Sequence, residues 1–118
     1  MALIIYHNPC CSKSRKTLQI INEAGVEPAI VLYLQEVPSA AEILAIAGKL
    51  GVRVADLLRR GESQFKNADD LPGLDNDNAL AEWIATHPAV LQRPIVVDAA
   101  SNKAVIGRPP ENVQELLR

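Results

Sequence analysis

Aromatic side chains are nearly absent: Tyr6, Tyr33, Phe65 and Trp83 are the whole supply in 118 residues. Proteins that bind single-stranded nucleic acid stack bases on such rings, and this chain has almost no material for that surface. An excess of cations is missing too, with 12 Lys and Arg against 14 Asp and Glu. Phosphate backbones are held by clustered positive charge, so nucleic acid is excluded as the expected partner. No apolar run approaches the roughly 18 residues of a membrane span. The apolar start Ala2–Tyr6 has no basic flank and no small-residue cleavage site, so neither an export signal nor a membrane anchor is expected. Cysteine is limited to the adjacent pair Cys10 and Cys11. That pair makes neither a disulfide framework nor the spaced ligand set of a zinc site, and it points to a reducing compartment, the cytoplasm.

What is present is an ordinary globular composition, 48% hydrophobic and 22% charged, at a length that fits one domain over residues 1–118. A core of this size leaves room for a shallow site only. Ala2–Tyr6 reads as a buried strand stopped by the turn His7-Asn8-Pro9. From Lys13, the residues Leu18, Ile21 and Ala24 recur at helical spacing until Gly25, and Ala29–Leu34 reads as a second strand. Strand, helix and strand at this spacing form a right-handed βαβ unit with parallel strands. Ser39 and Glu42 make a capping box for a helix that closes at Gly51, and Val54–Arg60 reads as further helical turns. Residues 61–77 read as mostly loop, and Asn78 as the cap of a helix that ends before His87-Pro88. Pro94–Asp98 and Lys103–Gly107 read as an antiparallel hairpin, and Pro109-Pro110-Glu111 as the start of a last helix.

The segment His7-Asn8-Pro9-Cys10-Cys11-Ser12-Lys13-Ser14-Arg15 joins the carboxyl end of the first strand to a helix start, the place where α/β sheets bind ligands. Unpaired N–H groups at a helix start attract anions and favour a thiolate over a thiol. Local context leaves two readings of Cys11: a nucleophilic thiolate, or an inert small hydrophobe. Cys10 makes a poor redox partner, because adjacent α-carbons lie about 3.8 Å apart and disulfides span roughly 4.4–6.8 Å. Arg59, Arg93 and Arg108 each sit beside an element end, and Arg93 and Arg108 each precede a proline. Their planar forks suit oxyanions. His7 is a candidate proton partner of Cys11, whereas His87 reads as a structural residue at a helix end. Asp69, Asp70, Asp75 and Asp77 lack the ligand spacing of a calcium loop, so no metal is expected.

Four segments together, His7-Asn8-Pro9 with Cys11-Ser12-Lys13-Ser14-Arg15, Leu57-Leu58-Arg59, Arg93-Pro94-Ile95-Val96-Val97 and Ile106-Gly107-Arg108-Pro109-Pro110-Glu111, resemble the glutaredoxin-dependent arsenate reductase family in order and spacing. The resemblance covers nearly the whole chain and is nearest to the family's shorter branch. It implies a thioredoxin-like α/β fold, a βαβ…ββα core with a helical insertion between the second and third strands, and a cis Arg93-Pro94 bond. It further implies that Cys11 attacks arsenate, that Arg59, Arg93 and Arg108 bind the oxyanion, and that His7 helps set the thiolate. Ser12, Ser14 and Arg15 then belong to the substrate-binding first turn. Glutathione enters as co-substrate with no bound cofactor, and glutaredoxin as partner. Two departures from the family pattern are Cys10 and an end at Arg118 without the longer tail of better-studied reductases. The alternative from another class is an Spx-like redox-responsive regulator that binds RNA polymerase. Its C-x-x-C switch is absent, since Ser14 stands one helical turn from Cys11. A third reading is a catalytically silent binding module of the same fold.

Overall fold

A computed structural model describes residues 2–117; Met1 and the terminal Arg118 lie outside the described residues. The chain divides into two compact units, one of residues 1–36 and 93–118, the other of residues 37–92. The first unit carries the sheet. Its strands are β1 (Leu3–His7), β2 (Ala29–Leu32), β3 (Ile95–Asp98) and β4 (Lys103–Ile106), in the spatial order β2-β1-β3-β4. β1 and β2 are parallel, whereas β3 runs antiparallel to both β1 and β4. This is the expected βαβ unit followed by a hairpin, with residues 37–92 inserted between β2 and β3.

Register explains which face holds the core. Ile5 lies opposite Val96, and side chains on one face of a strand recur every second residue, so Leu3, Ile5 and Val96 share a face. Helix α1 (Ser12–Glu23) brings Ile21 onto it, and the C-terminal segment brings Val113 and Leu116. Each fully buried side chain of this size contributes about 1.5–3 kcal/mol. The crossover helix stops at Ala24, where Gly25 takes φ 81°, a left-handed conformation that glycine adopts without a Cβ penalty.

The second unit is helical, and its core joins Ile43, Ile46, Leu57, Leu80, Ile84 and Val90. Helix α2 (Ala40–Leu50) carries the expected capping box: Glu42 N–H donates to Ser39 Oγ at 3.2 Å and Ser39 N–H to Glu42 Oε1 at 3.4 Å. Two expectations shift here. The turns after it form a 3₁₀ segment over Val54–Leu57 only, because Leu58 becomes extended to bridge Leu91, and Arg59 N–H then donates to Val90 O at 2.6 Å. Residues 61–77 are mostly loop, as expected, with one helical turn, α3 (Ser63–Lys66). Helix α4 (Asp77–Thr86) starts earlier than Asn78, capped by Asn76 Oδ1, which accepts from Ala79 N–H at 3.2 Å. Asp77 also takes Arg53 Nε at 3.0 Å, and Asp70 accepts from Trp83 Nε1 at 3.0 Å, so two of the loop aspartates are structural ties. His87 has the structural place expected of it, stacked on Trp83 with ring centroids 4.2 Å apart.

Two boundaries in the first unit differ as well. β2 ends at Leu32, because the N–H groups of Gln35 and Glu36 both turn back onto Leu32 O at 2.8 Å, which takes Tyr33 and Leu34 out of the strand. The last helix opens as a 3₁₀ turn, Pro110–Val113, and becomes α5 (Gln114–Leu117). Arg93-Pro94 is cis, as the resemblance implies, and Arg108-Pro109 is cis too.

Candidate active site

The loop between β1 and α1 is built by its own polar groups. Asn8 Oδ1 accepts from Cys10 N–H at 2.9 Å, and Asn8 O accepts from Cys11 N–H at 3.0 Å. Arg15 reaches back and donates from Nη1 to Pro9 O at 2.8 Å. These bonds close the turn tightly enough that Cys11 itself becomes the residue capping α1, with extended backbone (φ −96°, ψ 122°). A capping side chain lies over the N–H groups of the second and third helical residues, here Lys13 and Ser14.

No capping hydrogen bond of ordinary geometry reaches the sulfur. The electrostatic effect on it is nonetheless clear. Burial pushes the Cys11 thiol pKa up, but the Ser14 and Lys13 N–H groups and then the Arg93 guanidinium outweigh it, and the net shift is downward. Desolvation disfavours a thiolate, whereas donors and a cation facing it favour one. Cys11 is half-buried and free, while Cys10 is free and exposed.

His7 connects to this centre through Ser14. Its Nδ1 lies 2.6 Å from Ser14 Oγ, which also accepts from Asn8 N–H at 3.1 Å. Burial and then the charge of Arg15 lower the His7 pKa, so the ring stays neutral and adds no positive charge near the sulfur. Ser14 is fully buried with its hydroxyl engaged by His7 and Asn8, so it acts on the thiolate through its backbone N–H. Ser12 is exposed on the first turn.

Opposite the helix start, two proline turns are tied together. Gly107 N–H donates to Pro94 O at 2.9 Å, and Arg108 Nη1 donates to Arg93 O at 3.2 Å. Thr17 on α1 touches the same place: a Cβ on Gly107 would lie 2.5 Å from Thr17 Oγ1 and 2.8 Å from Pro94 Cγ. The backbone of the second turn therefore seats the first one against α1, and only glycine fits. Gly107→Ala is expected to cost about 1–3 kcal/mol by overpacking, read as a lower midpoint in urea unfolding.

Among the described residues the structure thus brings together Cys11, the His7–Ser14 pair, Arg15 and Arg93, all of the first unit, with Arg108 tied to the Arg93 carbonyl. Arg59 belongs to the second unit, where its Nη1 is buried 3.8 Å from Glu62 Oε2. Sequence reasoning named Asn8 and Gly107 only within motifs and gave no role to Thr17. Asn8 had a signal, a turn residue able to bond its own backbone.

Comparison with known proteins decides the family. The ArsC family model matches residues 6–116. The chain belongs to the ArsC family. An arsenate reductase of Haemophilus influenzae is 44% identical over 99% of this ArsC-family chain and 100% of its own length. One of Escherichia coli is 36% identical over 98% of this chain and 80% of its own length. The solved arsenate reductase of Vibrio cholerae superposes with a TM-score of 0.85 at 38% identity, covering 98% of this chain and 97% of that one. No helix of this ArsC-family chain is long and apolar enough, among the described residues, to cross a membrane.

Proposed function

We propose that the chain is an arsenate reductase that works through a Cys11 thiolate and takes its electrons from two external thiols, glutathione and glutaredoxin. One observation carries the reading: the Cys11 thiol is drawn below its ordinary pKa at the start of α1, with the Arg93 guanidinium beside it. A thiolate meeting an arsenate anion brings two negative charges together, so positive charge must already be in place, and a helix start with fixed arginines supplies it without rearrangement. Arg93 and Arg108 hold the anion in this reading, with Ser12 and Arg15 at the first turn.

The Cys11 sulfur attacks arsenic, a sulfur–arsenic bond forms, and one arsenate oxygen leaves as water after protonation. Glutathione then displaces a second oxygen as water and becomes bonded to arsenic. A glutaredoxin thiolate attacks the glutathione sulfur, and the arsenic–sulfur bond breaks with its electron pair left on arsenic. Arsenic(V) becomes arsenic(III), and the two external thiols leave as a mixed disulfide. Hydrolysis of the remaining Cys11–arsenic bond releases arsenite. The external thiols are needed because Cys10, the sole other cysteine, is adjacent in sequence and badly placed for a disulfide. Such chemistry belongs in the reducing cytoplasm.

The test is arsenate-dependent NADPH consumption by the purified chain with glutathione, glutaredoxin and glutathione reductase. Turnover that stops when either thiol is omitted supports the reading. Turnover without them, or none with them, overturns it.

A further inference from the structure

We propose that the Tyr33 hydroxyl is a neutral hydrogen-bond donor of the oxyanion site at Cys11, aimed at an oxygen of the bound anion. The inference deepens the reading of Cys11 as an oxyanion-binding thiolate and rests on it. Leu32 pairs with His7, so the next residue, Tyr33, comes abreast of Asn8 at the start of the Cys11 loop. The strand ends there, where Gln35 and Glu36 N–H both donate to Leu32 O. Tyr33 is 1% exposed, yet among the described residues its hydroxyl meets no hydrogen-bond partner of good geometry. Buried hydroxyls almost always have one, and a phenylalanine would fill the same space without an orphaned oxygen.

The groups around that hydroxyl are those of the candidate site: Arg93 and Asn8, whose side-chain donors face its oxygen without reaching good hydrogen-bond geometry, and Cys11. Burial raises the Tyr33 pKa more than Arg93 lowers it, so the phenol keeps its proton and remains a donor at neutral pH. A neutral donor differs in kind from the arginines. It adds no charge to the site. Its contribution arises only when an anion oxygen arrives, as with donors that await developing charge.

The experiment compares the full-length chain with its Tyr33→Phe variant, both carrying Cys10→Ser so that one sulfur is read. Alkylation of Cys11 by iodoacetamide is followed while arsenate, and separately phosphate, is titrated in as protecting anion. The expected result is that Tyr33→Phe needs about 10- to 100-fold more anion for equal protection, while its alkylation rate without anion and its melting temperature match the parent. Equal protection in both proteins overturns the role of Tyr33 and leaves the oxyanion reading standing. A lower melting temperature with unchanged anion affinity also overturns it, by assigning the hydroxyl to packing. Failure of both anions to protect the parent overturns the oxyanion reading and the inference together.

Discussion

Cys11→Ser is expected to reduce arsenate-dependent turnover to background, whereas Cys10→Ser is expected to keep most of it. The two sulfurs are neighbours in sequence and differ in their surroundings. Cys11 caps α1 and faces the N–H groups of Lys13 and Ser14 and the Arg93 guanidinium, while Cys10 is exposed on the turn. A serine hydroxyl at position 11 occupies nearly the same place but does not ionise near neutral pH, so geometry alone cannot rescue the attack. Turnover in the coupled assay is the readout. Equal loss in the two variants contradicts the assignment of the nucleophile.

Arg93→Ala is expected to lower kcat by about 10²–10³-fold, the usual cost of removing one donor from a charge-stabilising site. Arg93 faces the sulfur in the resting protein, so its loss also raises the Cys11 pKa and reduces the thiolate fraction at neutral pH. Arg93→Lys is expected to recover part of the pKa effect and less of the turnover, because a point charge replaces a planar fork. Steady-state kinetics of both variants, with melting temperatures as a control for folding, check this. A kcat unchanged in Arg93→Ala contradicts the site.

Much of the fold was legible because its signals are local. The apolar run Leu3–Tyr6 stops at a proline turn, the Ser39 and Glu42 pair marks a helix start, and Gly25 and Gly51 mark helix ends with positive φ. Boundaries set by tertiary contacts were not. Leu58 leaves its helical turns to bridge Leu91, a partner distant in sequence, and Tyr33 continues an apolar run yet turns out of the sheet.

The site divides in the same way. Cys11 at a helix start is visible from a turn followed by helical periodicity. That His7 reaches the centre through Ser14, rather than by contacting the sulfur, depends on which hydroxyl lies 2.6 Å from Nδ1, and no spacing rule supplies that. Gly107 was legible only as part of a motif. Its reason, the close approach of Thr17 and Pro94, joins three segments that the sheet brings together.

The central claim is that the folded chain favours the Cys11 thiolate over the ordinary thiol, and the rate of its alkylation against pH tests this most directly. With Cys10→Ser as the background, the account predicts a midpoint below the ordinary thiol value of about 8.5, moving upward in Arg93→Ala. Because the folded pKa is the depressed one, the matching contribution to stability is complete above the unfolded value and is lost as pH falls through the folded one. A midpoint at or above about 8.5 in the folded chain, unmoved by Arg93→Ala, contradicts the account.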